Sequence, residues 1–278
     1  MNTHFEVHPL TPAVGAEITG LDVSQPIPPP TLAALRKAWL ERKVLFFRDQ
    51  TLTPDQQLAF TRQFGEVEKY PFLPGIEGHP LIAPVLKLAH ETVNFGGVWH
   101  SDTAYLETPA AGATLYALEI PPVGGDTIFV NMVLAYATLP DAIKAQIQGL
   151  RAVNSSAKAD VTKTREDRLK DAGDSAPRQE FANLHPVVRT HPETGEKILY
   201  VNEGHTLCFE GWTEEASQPL LNLLYQHLRK PEYQCRFRWT AGALAMWDNR
   251  AAQHYPVNDY HGHRRLLHRI SLKGDKPR

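Results

Sequence analysis

The chain has 278 residues, 42% of them hydrophobic and 22% charged, with a formal net charge of -2. That balance is ordinary for a soluble globular domain and offers nothing to attract nucleic acid or an anionic membrane surface. No stretch approaches the roughly 20 apolar residues of a membrane span, and no basic start leads into an apolar run, so a cytoplasmic protein without membrane contact is expected.

The first predicted element is a helix over 31–42, TLAALRKAWLER, capped by Thr31, with Leu32, Leu35, Trp39 and Leu40 on one face. KVLFFR (43–48) reads as a strand. TPDQQLAFTRQFG (53–65) reads as a helix with a capping box between Thr53 and Gln56, Pro54 at its first position and Gly65 at its end. Strands follow at 112–120 and 127–130, then a short helix at 140–149 ending on Gly149. The charge-dense segment 157–180 has no long apolar face; it is either a solvated surface loop or a mobile lid over an active site. Runs at 185–191 and 197–202 read as strands. A helix at 213–230 opens at Thr213 with Glu214 and Glu215 and closes on Arg229 and Lys230, which suits its dipole. The last strands fall at 233–239, 243–247 and 266–272, and in the first of these Tyr233, Cys235, Phe237 and Trp239 face one way.

Many short strands separated by Gly and Pro turns point to a sandwich or barrel formed by one domain over 1–278. No strand leads into GxGxxG or a Walker loop, so nucleotide folds have no support. Cys208 and Cys235 form neither a disulfide framework nor a zinc-ligand spacing, and both read as core packing.

Chemistry enters at GGVWHSDTAYLETP (96–109), where His100 and Asp102 stand two apart. In a strand, side chains two apart share a side, so these two would converge if GVWHSD is a strand or strand end. The spacing alone is weak, because His4-Phe5-Glu6 and His191-Pro192-Glu193 match it too. A second histidine would complete a triad on one face of a metal, the signature of non-haem Fe(II) oxygenases. His254 is the best candidate, lying between the strand ALAMW and the strand RRLLHRISL. On that last strand Arg265, Leu267 and Arg269 share a face, so two guanidiniums could enter one cavity and bind carboxylate or sulfonate oxygens.

This ordered set resembles the Fe(II)- and 2-oxoglutarate-dependent dioxygenases of the taurine dioxygenase type. The resemblance spans nearly the whole chain and is carried by GAEITGLDVSQP (15–26), FFRDQTLTPDQQLAF (46–60), WHSDTAYLETPAAGA (99–113), PPVGGDTIF (121–129), YVNEGH (200–205), WDNRAAQHYPVNDY (247–260) and RRLLHRISLKGDKP (264–277). It implies a mainly β fold with flanking helices, a double-stranded β-helix or jelly-roll barrel. It implies His100, Asp102 and His254 as Fe(II) ligands, Thr127 and Arg265 on the distal carboxylate of 2-oxoglutarate, and Arg269 on the anionic group of a small organic substrate. The reaction implied is hydroxylation of a substrate C–H by O2, with release of succinate and CO2. The hydroxylated product of a sulfonate, sulfate ester or aryl ether would then collapse to a carbonyl compound plus sulfite, sulfate or phenol. Family members are commonly dimers or tetramers, so a homo-oligomer is expected.

Three positions depart from the taurine enzymes. Tyr70 stands where they have a histidine, Gly96 where they have an asparagine, and His205 where they have an aromatic residue. Tyr70 and His205 are therefore expected to line a larger or less cationic pocket for an alkanesulfonate, alkyl sulfate or aryloxyalkanoate. Three alternatives stay open: taurine dioxygenase proper, a zinc-type hydrolase on the same triad, and a barrel that binds an anion without catalysis.

Overall fold

The computed structural model describes residues 5–94, 96–158 and 180–278. The chain enters through β1 (Glu6–Pro9) and β2 (Ala16–Thr19), then α1 (Pro29–Arg42) leads into β3 (Val44–Phe47). α1 begins two residues before the expected start. Pro29 and Pro30 bring the preset φ of a first helical turn, and Thr31 is buried inside the helix instead of capping it. α2 (Pro54–Arg62) carries the expected box: Gln56 N–H donates to Thr53 Oγ1, and Thr53 N–H to Gln56 Oε1.

β4 (Val67–Glu68), β5 (Ala83–Lys87), β6 (Gly112–Glu119) and β7 (Thr127–Asn131) follow. β7 runs straight into α3 (Met132–Ala137), a helix the apolar run concealed, because Asn131 caps it by accepting from Val133 N–H and Leu134 N–H. Next come α4 (Asp141–Ile147), β8 (Arg151–Ser155), β9 (Ala182–Pro186), β10 (Val188–Thr190), β11 (Lys197–Leu199) and β12 (Thr206–Phe209). The single strand expected at 185–191 is two: β9 pairs with β8, the chain breaks after Pro186, and β10 pairs with β11. α5 (Glu214–Leu228) has Thr213 at its N-cap, as expected. The chain ends with β13 (Gln234–Phe237), β14 (Leu244–Asp248), β15 (Ala252–Pro256) and β16 (Arg265–Leu272). The segment expected as loop or lid, 157–180, lies almost wholly outside the described residues.

Eight strands form the large sheet, ordered β1-β2-β3-β14-β6-β16-β4 with β5 on β16; a three-stranded sheet, β13-β7-β15, faces it. Val44, Phe46, Leu115, Trp247 and Leu267 of the large sheet pack against Phe129, Cys235, Phe237 and Ala252 of the small one. Phe46 stacks on Phe237 with centroids 4.0 Å apart and meets Phe129 edge-on at 5.6 Å. On the outer side of the large sheet, Leu35 and Trp39 of α1 and Phe60 of α2 cover Leu45, Phe47, Leu244 and Met246. This is the jelly-roll arrangement with flanking helices that the sequence implied. Among the described residues the two facing sheets stay separate instead of joining in one closed ring.

Cys235 sits in the core as expected. Cys208 is only half-buried, beside a register shift in β12. No helix among the described residues is long and apolar enough to cross a membrane.

Candidate metal centre

The segment before β6 meets β15 through an isolated antiparallel bridge. His100 N–H donates to the His254 carbonyl at 3.1 Å, and His254 N–H to the His100 carbonyl at 3.0 Å. The bridge sets the two imidazole centroids 4.2 Å apart. Asp102 follows two residues beyond this bridge, at a strand end. After His100 the chain turns, and Thr103 adopts a left-handed φ of 54°. Ligand atoms of His100, Asp102 and His254 then lie within 4.8 Å of one another, all three residues buried.

The protonation pattern follows from the neighbours. His100 Nδ1 lies 2.7 Å from the Val98 carbonyl, which can only accept, so Nδ1 carries the proton and Nε2 presents its lone pair. Burial, reinforced by His100, pulls His254 down to about 3. Burial likewise keeps His100 below its ordinary value. For Asp102 burial pushes upward, but Arg269, His254 and His100 outweigh it and hold the carboxyl below the usual range. Two neutral imidazoles and one carboxylate result. Asp102 Oδ2 and His254 Nδ1 are buried with no hydrogen-bond partner among the described residues. An unpartnered buried carboxylate oxygen is costly, and a divalent cation would satisfy it, so the donor set fits a metal. Gly96 has a φ of +76°, and a Cβ there would lie 2.7 Å from His100 Cε1, so the ring packs directly on its backbone.

Arg269, on β16, donates to Asp102 Oδ1 at 2.9 Å, and its guanidinium lies 4.1 Å over the Tyr70 ring. Strand alternation placed Arg269 on the inner face but gave no sign of this bond to a candidate ligand. His205 meets Tyr105 edge-on at 4.9 Å and His100 at 6.0 Å. Phe72 continues the surface, 5.9 Å from Tyr70, 5.4 Å from Tyr105 and 5.6 Å from Phe181. Tyr70 and His205 thus stand at two ends of an aromatic wall beside the triad, with Arg269 as its cation.

Arg265 lies about 13 Å from Arg269 along β16, at 3.3 Å per residue. Its guanidinium rests 5.8 Å from the rings of both Trp239 and Tyr260. Trp239 Nε1 donates to Thr127 Oγ1 at 2.9 Å, which leaves the Thr127 hydroxyl hydrogen able to donate elsewhere. Arg265 Nε and Nη2 are buried with no hydrogen-bond partner among the described residues. Gly125 has a φ of +71°, and a Cβ there would come within 3.2 Å of Arg265 Nε, so the glycine lets the guanidinium pass. The two arginines therefore serve different neighbourhoods, Arg269 at the triad and Arg265 against Trp239, Tyr260 and Gly125.

Spacing gave no reason to single out Trp239 or Asn249, although both contact selected residues directly. Their only sequence signals were an inward-facing indole on a strand and a place in WDNR. The competing triplet at His191 resolves as structure: His191 Nε2 donates to Asp248 Oδ2 at 2.9 Å, and Glu193 pairs with Arg36 and Arg250. His4 lies outside the described residues.

The family model described as "Taurine catabolism dioxygenase TauD, TfdA family" matches residues 6–271. An alpha-ketoglutarate-dependent sulfate ester dioxygenase of Pseudomonas putida is 34% identical over 281 residues, covering 98% of this chain and 91% of its own. An alkylsulfatase of Acinetobacter baylyi is 35% identical over 279 residues, covering 98% and 86%. An alpha-ketoglutarate-dependent 2,4-dichlorophenoxyacetate dioxygenase of Cupriavidus pinatubonensis is 32% identical over 263 residues, covering 89% and 90%. The crystal structure of a taurine dioxygenase from Burkholderia xenovorans matches with a TM-score of 0.82 and 34% identity, over 98% of this chain and 90% of that one.

Proposed function

The chain belongs to the taurine catabolism dioxygenase TauD, TfdA family, the 2-oxoglutarate-dependent dioxygenases, and we propose that His100, Asp102 and His254 hold Fe(II) for hydroxylating a small organic anion other than taurine. The observation that carries this reading is the buried triad with Arg269 bonded to Asp102 beside an aromatic wall. Bound Fe(II), with 2-oxoglutarate and O2, supplies an oxidant able to cleave a C–H bond, and 2-oxoglutarate ends as succinate and CO2.

The chain's own residues do the rest. His100 Nε2, oriented through Nδ1 and Val98, and His254 offer neutral nitrogen donors, while Asp102 offers the charge. Thr127 and Arg265 hold the distal carboxylate of 2-oxoglutarate, the hydroxyl pre-aimed by Trp239. Arg269 takes the anionic group of the substrate and orients its C–H toward the triad. Tyr70, Phe72, Tyr105 and His205 present an apolar surface for an alkyl or aryl tail and exclude water. A taurine ammonium would meet aromatic rings where an alkyl sulfate or aryloxyalkanoate tail would be buried. The names of the relatives support this substrate range, sulfate esters first.

A screen of succinate formation over alkyl sulfates, alkanesulfonates, aryloxyalkanoates and taurine tests the reading. An alkyl sulfate or another apolar-tailed anion should outrun taurine. Arg269→Ala should weaken substrate binding more than it slows 2-oxoglutarate decay without substrate. Sulfite release from taurine as fast as the best alternative would overturn the substrate assignment. Equal loss in both Arg269→Ala readouts would restrict Arg269 to holding Asp102.

A further inference from the structure

Asn249 follows the last residue of β14 and is buried at 1% exposure. Its side-chain amide grips the main chain of Asp102 on both sides. Oδ1 accepts from Asp102 N–H at 2.7 Å, and Nδ2 donates to the Asp102 carbonyl at 2.9 Å. The same Nδ2 donates to the Ala110 carbonyl at 2.9 Å, and Asn249 N–H donates to the Ala111 carbonyl at 3.0 Å. One side chain thus supplies Asp102 with the pairing a neighbouring strand would have given, and it also closes the neck of the loop 102–110.

The need for such a clamp is local. Asp102 sits in a turn without ladder partners, and the next residue, Thr103, has a φ of 54°. A β-branched residue in that region is disfavoured and persists only when its surroundings fix it. Relaxation of Thr103 would rotate the Asp102 main chain and swing the carboxylate off His100 and His254. Ala110 N–H donates to Thr103 Oγ1 at 2.9 Å and assists, and Arg269 holds the Asp102 carboxylate, but among the bonds described only Asn249 holds the Asp102 main chain. Aspartate lacks the N–H donors of this amide, and glutamine is a methylene longer.

We propose that Asn249 is the positioning residue of the metal centre, setting the Asp102 carboxylate without touching the metal or the substrate; the proposal rests on the reading of His100, Asp102 and His254 as the ligands.

Mn(II) titration of the metal-free enzyme, followed by electron paramagnetic resonance without 2-oxoglutarate, tests it apart from turnover. Asn249→Ala and Asn249→Asp should each weaken Mn(II) binding by about 10- to 100-fold. Ser217→Ala serves as the control: it removes a buried hydroxyl that accepts from Phe209 N–H at 3.0 Å on α5, so it should lower the melting temperature yet leave Mn(II) binding unchanged. Mn(II) affinity within about twofold of the unsubstituted protein in Asn249→Ala, or an equal loss in Ser217→Ala, would overturn the proposal. Should both Asn249 variants fail to fold, hydrogen exchange in the unsubstituted metal-free protein decides: the Asp102 amide should be strongly protected, and prompt exchange would overturn the clamp. If Asp102→Ala binds Mn(II) as well as the unsubstituted protein, the ligand reading itself fails. A loss there with none at Asn249 refutes only the clamp.

Discussion

Asp248→Asn puts the buried charge network behind the site under direct test. The Asp248 carboxylate accepts four bonds: Arg250 Nε at 2.8 Å, Arg250 N–H at 3.0 Å, Arg250 Nη2 at 2.8 Å and His191 Nε2 at 2.9 Å. Burial pushes its pKa up, yet Arg250 and His191 outweigh burial and hold it below the ordinary carboxylate range. Asparagine keeps the shape, removes the charge and turns one acceptor into a donor that faces other donors. Breaking one partner of a buried ion pair costs about 3–5 kcal/mol. Glu193 Oε1 still accepts from Arg250 Nη1 at 2.8 Å, so the guanidinium keeps one anion and the low end, about 3 kcal/mol, applies. At roughly 2–4 °C per kcal/mol for a large domain, the melting temperature should fall by about 6–12 °C. Urea unfolding at pH 7 with a parallel thermal melt measures both quantities. A loss below about 1 kcal/mol would refute the assignment of these contacts as a tightly coupled buried pair.

Trp239→Phe keeps the ring but deletes the donor to Thr127. Losing one neutral hydrogen bond, about 0.5–1.5 kcal/mol, should raise the KM for 2-oxoglutarate roughly 2- to 12-fold with the substrate KM unchanged; equal rises in both would contradict the placement of Thr127. Gly96→Ala should impair Mn(II) binding by at least about 10-fold, because the added Cβ displaces a ligand ring, and unchanged binding would show that the backbone there can yield. His185 donates from Nε2 to the Leu106 carbonyl at 2.8 Å, and burial lowers its pKa from 6.5. The folded protein resists a proton that the unfolded chain takes up below that value. Stability is therefore complete above about pH 6.5 and falls as the pH drops, by at most about 1.4 kcal/mol per unit for this group. Denaturation midpoints between pH 7.5 and 5 should show a shallower decline in His185→Gln; an identical slope would place the proton uptake elsewhere.

Local chemistry was the most readable part of the sequence. The Thr53–Gln56 box and the Thr213 cap appear as expected, because both ends of each interaction lie within one turn. His100, Asp102 and His254 were selected by the order of motifs along the chain, and the structure brings them together. The left-handed conformation of Thr103 was hidden, since it runs against the local preference of a threonine. α3 was hidden for the opposite reason: Asn131 ends a strand and caps a helix within one apolar run, which periodicity over a few residues cannot divide. The Arg269–Asp102 bond and the wall from Tyr70 to His205 join residues far apart in sequence, and only the folded sheets place them side by side.

The most direct test of the triad is anaerobic loading with Fe(II) and 2-oxoglutarate, followed by admission of O2 with an alkyl sulfate and measurement of succinate. The account predicts succinate in step with substrate consumed, abolished without O2 and in a folded Asp102→Ala variant. Substrate cleavage under nitrogen without 2-oxoglutarate, or full succinate formation in Asp102→Ala, would contradict it.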